Sequence, residues 1–335
     1  MKIQLILFTI ITVASCVRDK RLITRFLQPS YGVQPVIVNG DPATVGQIPY
    51  FVSIKEVLRW YKKNSALWKS FCGGTIIAIN KVLTAAHCFE VNDYKYYQRP
   101  HLLRVVAGSI RNYMIHSGEE VTENSNQWRK IQKIVIHASF NFPANDIALV
   151  FVNNFTYTSF VTYAIPAKAD MDYARRCMAA GFGKTGQDMS NQASHVLLVA
   201  KIELLSKYLC SNRWLSDMDK FICSDAESAD VARGDSGGPL VCKGTLDPAE
   251  RSGRDLLVGI VSGKDVDRTT IYTRVSAYKD WIERGKSQRI KTNIFVIIIC
   301  FLTLYVSFLF LNPIKNHHQL TIRLHLGARS LPQVN

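Results

Sequence analysis

Short runs of β-branched and aromatic residues alternate with turn residues along most of the chain from residue 37 onward. Many short strands separated by turns are typical of all-β sandwiches and barrels. We therefore predict an all-β domain, with a short helix near its end, where residues 277–282 have helical spacing and an aromatic face. The predicted strands include residues 50–54, 74–78, 103–107, 131–136, 147–151, 195–199, 239–242 and 256–261.

The N-terminal segment has the pattern of a secretory signal. Lys2 precedes an apolar stretch at residues 3–13, and small residues follow that stretch up to Cys16. Such a pattern indicates a signal peptide at 1–16, although a short N-terminal anchor is the alternative. Residues 17–36 are polar and basic and contain two prolines, so we interpret them as a pro-segment.

A second apolar stretch, at residues 294–311, predicts a transmembrane helix. As a helix it would be about 27 Å long, close to the roughly 30 Å of a bilayer's hydrocarbon core. A buried core helix is the alternative, but the stretch has no polar face for water. The basic tail at 312–335 argues against a lipid anchor, whose signal ends in the apolar stretch. We expect a cytoplasmic tail on a single-pass protein of the extracellular membrane face, or a secreted protein if the span is removed.

Composition narrows the possible partners. The chain has 335 residues, 47% of them hydrophobic, which is enough for a compact core and excludes general disorder. The formal net charge is +15, but the chain has no long basic run and no alternation of aromatic and basic residues. We therefore predict no nucleic-acid partner.

The eight cysteines fit an oxidising compartment. Cys16 lies in the signal and Cys300 in the predicted span, which leaves an even number in the domain. The remaining six indicate three disulfides, whose connectivity cannot be read from a count. They lack the CxxC and His-x-x-x-His spacings of zinc sites, so we predict no metal and no cofactor. The six are Cys72, Cys88, Cys177, Cys210, Cys223 and Cys242.

Three short polar motifs supply the groups that acyl transfer needs. The string GDSGGPL at 234–240 places Ser236 in a glycine-rich turn ahead of a strand. The string TAAHC at 84–88 places His87 beside a half-cystine, and NDIAL at 145–149 places Asp146 ahead of an apolar strand. Alone, such a histidine or aspartate is more often structural. Together the motifs provide a nucleophile, its base and the acid that orients the base.

In the order His, Asp, Ser, these strings resemble those of the chymotrypsin/trypsin-like serine protease family, over residues 37–284. The resemblance implies two packed six-stranded antiparallel β-barrels, with His87 and Asp146 on the first and Ser236 on the second. It implies a catalytic triad of these residues, with the backbone N–H groups of Gly234 and Ser236 as the oxyanion hole. Protein or peptide substrates would be hydrolysed through an acyl-enzyme, and protein inhibitors are further expected partners.

The resemblance also assigns a specificity pocket, which departs from the family pattern. Asp230, six residues before Ser236, suggests cleavage after Arg or Lys through charge pairing at the pocket floor. However, Ala232 replaces a common half-cystine, and Thr270 stands where a glycine often lines the wall. Ser262 matches the family serine that supports the buried aspartate. The pocket residues implied are Asp230, Val231, Ser262 and Thr270.

Activation is a second departure. Family members begin at an Ile-Val-x-Gly terminus freed by cleavage, here at Ile37, whose ammonium pairs with the acid before the serine, here Asp235. Val36 precedes Ile37 in place of the usual Arg or Lys, so a trypsin-like activator should not cut there. Either another activating protease cuts, or the chain rests as a zymogen. The alternative function is a non-catalytic homologue acting as a binding module, but its usual mark, a replaced triad residue, is absent.

Two features belong to a secreted domain. The first is an N-glycosylation acceptor at residues 154–156, with Asn154 as the modified residue. The second is the set of disulfides that the resemblance implies, which are Cys72–Cys88, Cys177–Cys242 and Cys210–Cys223.

Residues 53–71 form an insertion relative to the family pattern. Its composition predicts either a solvated loop or an exosite for an acidic partner. The basic and aromatic residues in it are Lys55, Arg59, Trp60, Tyr61, Lys62, Lys63, Trp68 and Lys69.

Overall fold

A computed structural model describes residues 36–38, 40–61, 65–173, 176–183, 193–225, 230–232, 234–264 and 269–285. All of these residues lie in one compact unit. The predicted signal peptide at 1–16, nearly all of the pro-segment at 17–36, the apolar stretch at 294–311 and the tail at 312–335 lie outside them. Within the described ranges, no helix is both long and apolar enough to span a bilayer.

The strands are numbered in chain order. The first ten are β1 Val36–Val38, β2 Asp41–Pro42, β3 Phe51–Trp60, β4 Ala66–Ala78, β5 Lys81–Thr84, β6 Leu103–Ala107, β7 Tyr113–His116, β8 Val121–Glu123, β9 Asn126–Ile136 and β10 Ala148–Val152. The next eight are β11 Ile165–Pro166, β12 Arg176–Gly181, β13 Leu198–Glu203, β14 Phe221–Ser224, β15 Asp230–Ala232, β16 Pro239–Cys242, β17 Leu256–Lys264 and β18 Thr270–Arg274. The helices are α1 Val91–Gln98, α2 Lys207–Trp214 and α3 Lys279–Arg284, and 3₁₀ turns lie at His87–Phe89, Pro100–Leu102 and Val275–Tyr278.

The first sheet closes on itself. Its strands follow the order β10, β5, β4, β3, β6 and β9, and β10 also pairs with β9. These six strands form the closed antiparallel barrel that the sequence predicts for the first half of the domain. Alternate side chains fill its interior, since successive residues of a strand point to opposite faces. Val52 and Ile54 of β3, Val105 of β6 and Leu149 of β10 are all fully buried there.

The second sheet follows the order β14, β18, β17, β16, β12, β13 and β2. Among the described residues, no continuous ladder joins β14 to β13. A single bridge between Leu204 and Ser224 does so, flanked by hydrogen bonds from Leu205 N to Cys223 O (2.9 Å) and from Asp225 N to Glu203 O (2.8 Å). The second six-stranded barrel therefore stays a prediction.

The helices correct the sequence prediction. We expected one helix, at 277–282, and the structure has α3 at Lys279–Arg284 after a 3₁₀ turn. The helices α1 and α2 were not predicted, because short polar helices lack an apolar stripe at helical spacing. In α2 only Cys210 is buried, and the helix is set by its ends. The Ser206 hydroxyl accepts from Leu209 N at 3.3 Å, and Leu215 caps the other end in a left-handed conformation.

The insertion at 53–71 is a hairpin of β3 and β4 rather than a solvated loop, with residues 62–64 outside the described part. Lys55 is 0% exposed and Trp68 is 2% exposed, although both were expected at the surface. Trp68 packs edge-on against Trp128, with ring centroids 5.7 Å apart. The strand alternation explains the difference, since every second side chain of the hairpin points inward. Arg59 and Trp60 remain exposed near the tip.

Three disulfides join the elements, and their pairs are those that the family resemblance implies. They are Cys72–Cys88 from β4 to the first 3₁₀ turn, Cys177–Cys242 between β12 and β16, and Cys210–Cys223 between α2 and β14. Each such bond contributes about 2–4 kcal/mol to stability, mainly by constraining the unfolded chain. Asn154 lies exposed in the connection after β10, where a glycan could be accommodated.

Candidate active site

Asp146 is a buried carboxylate whose two oxygens are occupied by donors. It precedes β10 and is 0% exposed. Oδ1 accepts from the backbone N–H of His87 at 2.8 Å, and Oδ2 accepts from His87 Nδ1 at 2.7 Å and from the Ser262 hydroxyl at 2.6 Å. The Thr273 hydroxyl donates to the Asp146 carbonyl at 2.8 Å. These bonds offset the cost of burying the charge and leave the carboxylate one orientation.

His87 is brought to Asp146 by the pairing of β5 with β10, whose register places Thr84 opposite Ala148. Its ring lies edge-on to Phe142, with centroids 5.5 Å apart. Burial lowers the pKa of the imidazole, but the charge of Asp146 and the hydrogen bond to it outweigh burial, so the pKa is raised. Because Nδ1 donates to Asp146, Nε2 is the nitrogen left to accept a proton.

Ser236 sits where the two sheets meet. Its carbonyl accepts from Gly73 N of β4 at 2.8 Å and lies 3.9 Å from the sulfur of Cys88, the neighbour of His87. The next residue, Gly237, donates to the Val261 carbonyl of β17 at 2.9 Å. These contacts bring the predicted nucleophile to the residues that carry the predicted base. Gly237 has a φ of +78°, and a Cβ there would lie 2.1 Å from the Thr84 hydroxyl, so only glycine fits.

The turn before Ser236 rests on the end of β12. Asp235 is 0% exposed, and its Oδ1 accepts from Gly183 N at 2.8 Å. Gly181 lies so close that a Cβ would be 1.9 Å from the same oxygen. Gly234 has a φ of +111° and lies against the Phe182 carbonyl, 3.1 Å from the place a Cβ would take. Residues 181–183 therefore cradle the predicted oxyanion-hole segment 234–236.

The pocket and activation residues are placed by backbone pairing. Strand β1 pairs with β15, which sets Ile37 opposite Val231 and Val38 opposite Asp230. The backbone of Ile37 thus lies beside the predicted pocket floor, and its nitrogen is in the peptide bond with Val36. The pairing of the Ile37 amine with Asp235 stays a prediction. In strand β18 of the second sheet, Thr270 is fully buried and pairs with Ser224 and Lys264. Ser262 is 3% exposed, and its hydroxyl donates to Asp146.

The site offers no obvious metal ligands. Within the described residues, the single group of side chains with metal-like spacing is Cys72, His87 and Cys88, with ligand atoms within 4.8 Å of one another. The two sulfurs are bonded to each other at 1.94 Å and provide no thiolate. His87 Nδ1 is already bonded to Asp146. The arrangement suits proton transfer from a nucleophile to His87 rather than metal binding.

Sequence reasoning missed several residues that shape the site. Thr273 supports Asp146 from β18, Phe142 lies against the His87 ring, and Thr84 donates to Gly73 O at 2.8 Å. None of them has a local signal, except that Thr84 opens the TAAHC string. Their roles depend on contacts between residues distant in sequence. A buried lysine, Lys55, was misinterpreted rather than missed.

A closed six-stranded barrel in which a buried aspartate bonds to a partly exposed histidine, beside a GDSGGPL turn, is the architecture of a trypsin-like serine protease. A protein-family model described as Trypsin matches residues 37–282, and the chain belongs to this family, which confirms the resemblance. It is 30% identical over 267 residues to Transmembrane protease serine 9 of Rattus norvegicus, which covers 76% of this chain but 22% of that protein. It is also 30% identical over 259 residues to Trypsin-1 of Astacus astacus, covering 74% of this chain and 98% of that protein.

Proposed function

We propose that this protein is a serine endopeptidase with Ser236, His87 and Asp146 as its triad. His87 Nε2 takes the hydroxyl proton as Ser236 Oγ bonds to the scissile carbonyl carbon, and then gives it to the leaving amine as the C–N bond breaks. Water hydrolyses the resulting acyl-enzyme by the same transfers. The observation that carries the proposal is the fully buried Asp146, whose Oδ2 orients His87 Nδ1 at 2.7 Å.

The oxyanion would be held by the backbone N–H groups of Gly234 and Ser236. The positive φ of Gly234 and its contact with the Phe182 carbonyl support this role, because they fix the direction of the peptide units in the turn. Preorganised backbone donors are effective because they need no rearrangement as the charge develops.

For specificity we propose cleavage after Arg or Lys, from the position of Asp230 in β15. Val231 and Thr270 would line the same pocket with Ser262, and the buried Thr270 in β18 would narrow it. The test is hydrolysis of matched peptide 4-nitroanilides ending in Arg, Lys, Tyr or Ala. Turnover of the Arg and Lys substrates at least tenfold faster supports the assignment, and no turnover of that pair rejects it.

The remaining features concern delivery and activation. We propose that residues 1–16 direct export, that 294–311 tether the protein, and that the second sheet forms the second barrel of the family. The name of the rat relative, Transmembrane protease serine 9, supports the tether. A protease that cuts after Val36 would free Ile37 to pair with Asp235. N-terminal sequencing of active protein checks this, since a start other than Ile37 contradicts the pairing.

The experiment for the proposed function is peptide hydrolysis by the secreted protein and its Ser236→Ala variant. We expect kcat to fall about 10⁶-fold in the variant, since losing the nucleophile disables the whole triad. The fold is monitored by thermal unfolding, which should be unchanged. Equal activity of the two proteins would contradict Ser236 as the nucleophile, and no activity in the correctly processed wild type would favour a binding module.

A further inference from the structure

Lys55 is a buried ammonium without a carboxylate partner. It lies in β3, is 0% exposed, and its Nζ donates to Ser70 Oγ at 2.8 Å, Arg111 O at 2.9 Å and Asn112 O at 2.7 Å. The three donors of the ammonium thus meet three neutral acceptors. Within the described part of the chain, no Asp or Glu forms an ion pair with it. Burying an unpaired charge is costly, so its retention calls for a role.

The segment that Lys55 holds continues into a second buried bridge. Asn112 is 1% exposed, and its Oδ1 accepts from Ser70 N at 3.0 Å. Its Nδ2 donates to the Ser194 carbonyl at 2.7 Å. One asparagine therefore connects the carbonyl held by Lys55 to residue 194, which lies far along the chain.

Ser194 in turn fixes the cradle of the oxyanion-hole segment. Its backbone N–H donates to the carbonyls of Phe182 at 3.1 Å and Gly183 at 3.0 Å. Gly183 N then donates to Asp235 Oδ1 at 2.8 Å. Lys55 Nζ also lies 5.5 Å from the centroid of the Phe182 ring. A continuous set of contacts thus runs from Lys55 to the residue before Ser236.

The protonation state of Lys55 decides how strongly it holds these groups. Burial lowers the pKa of its amine to about 7. Once neutral, the amine keeps two N–H donors for the carbonyls of Arg111 and Asn112, and its lone pair accepts from the Ser70 hydroxyl. The number of bonds is unchanged, but the bonds to the two carbonyls lose the strength that the positive charge gives them. The ionisable residues on the elements packed around it are Glu56 of β3, Lys69 of β4, Arg104 of β6, Arg111, His195 and, beyond Phe182, Asp235.

We propose that Lys55 is a positioning residue for the oxyanion-hole segment, acting through Asn112, Ser194 and residues 182–183 on Asp235. This role rests on the proposed protease function. It also depends on whether the Lys55 amine is protonated. The ammonium keeps the cradle in its productive position, and the neutral amine loosens it. A displaced oxyanion hole stabilises the transition state less but binds the substrate equally well. The effect therefore falls on kcat rather than on KM.

The test measures kcat and KM against pH for the processed, active proteins, on the 4-nitroanilide that the wild type cleaves fastest. Because His87 must be neutral to act as the base, kcat first rises with pH in every variant, and in wild type we expect an added decline as the pH passes the Lys55 pKa of about 7. Lys55→Met is similar in length but has no donor, and we expect kcat about tenfold lower, KM within about twofold, and no such decline. Lys201→Met, an exposed lysine of β13, is the control and should match wild type.

Asn112→Leu keeps Lys55 but removes the side-chain bonds of Asn112 to Ser70 and Ser194. It therefore tests the positioning role if Lys55→Met does not fold. We expect the same loss of kcat and the same absence of the added decline. The inference is overturned if either folded variant keeps the wild-type kcat and pH profile, or if only KM changes. A wild type that hydrolyses none of the substrates contradicts the proposed function instead, so the two failures can be told apart.

Discussion

Asp146 and Lys55 are both fully buried charged residues of the first barrel, but they are compensated differently. Asp146 faces a residue that can become a cation, at 2.7 Å, while Lys55 faces a hydroxyl and two carbonyls. One charge thus gains a partner during proton transfer, and the other is compensated by neutral dipoles alone. The comparison teaches that buried charge serves the site in two ways, through chemistry and through position.

The largest loss of activity should come from removing the charge of Asp146. Asp146→Asn keeps the size of the side chain but removes the charge that orients His87. The amide can donate to Nδ1, which then leaves the proton on Nε2, so that Nε2 cannot accept the serine proton. We expect kcat to fall about 10⁴-fold with little change in KM. Stopped-time hydrolysis assays at pH 8 and a thermal melt as control measure this. A loss below about tenfold in a folded variant would mean that Asp146 does not orient the base.

The hydrogen-bonded path from Lys55 ends at Asp235, the residue before Ser236, which lies against Gly181. A Cβ at Gly181 would lie 1.9 Å from Asp235 Oδ1, so Gly181→Ala must move the carboxylate or the strand. We expect kcat/KM to fall about 100-fold and the free energy of unfolding to drop by about 1–3 kcal/mol.

The control for this change is Gly253→Ala, where a Cβ meets nothing within 4 Å but φ is +73°. It should lose stability through backbone strain while keeping activity. Comparable activity losses in the two variants would show that the collision with Asp235 is not the cause.

A smaller effect should follow from trimming one donor of Asp146. The Ser262 hydroxyl bonds to Oδ2 at 2.6 Å, and Ser262→Ala removes it without touching His87. A hydrogen bond to a charged group is worth about 1.5–3 kcal/mol. Because the two remaining donors still hold the carboxylate, we expect kcat/KM to fall only about tenfold. Ser262→Thr, which keeps a hydroxyl, should recover part of the loss, and equal losses in both would point to pocket shape instead.

On the cationic side we also expect an effect on stability, separate from the effect of Lys55 on activity. The folded pKa of Lys55 is lowered from 10.5 to about 7, so between those values the unfolded chain binds a proton that the folded chain does not. The free energy of unfolding therefore rises with pH in this window, by up to about 1.4 kcal/mol per unit. Denaturant unfolding between pH 7 and 10 measures this slope, which Lys55→Met should lack. An identical slope in both proteins would contradict the burial of an uncompensated amine.

How far the sequence predicts these features depends on how local each signal is. His87, Asp146 and Ser236 are flagged by strings of a few residues, because tight turns and close backbone approach restrict the residues on either side. The cysteine pairs were predicted from the family resemblance, because a count of cysteines does not give their connectivity. Lys55 was predicted on an exposed loop, since its neighbours are basic and aromatic. Its burial is decided by the segments at 111–112 and 182–183, which no local pattern connects to it.

The most direct test of the account is covalent labelling of the wild-type protein by a fluorophosphonate, followed by mass spectrometry of the modified peptide. A phosphonyl group on Ser236 needs an activated hydroxyl, so we predict a single adduct there. Ser236→Ala should show none, and Asp146→Asn should react far more slowly. Labelling of another residue, or no labelling of protein that begins at Ile37, would contradict the assignment of Ser236, His87 and Asp146 as a working triad.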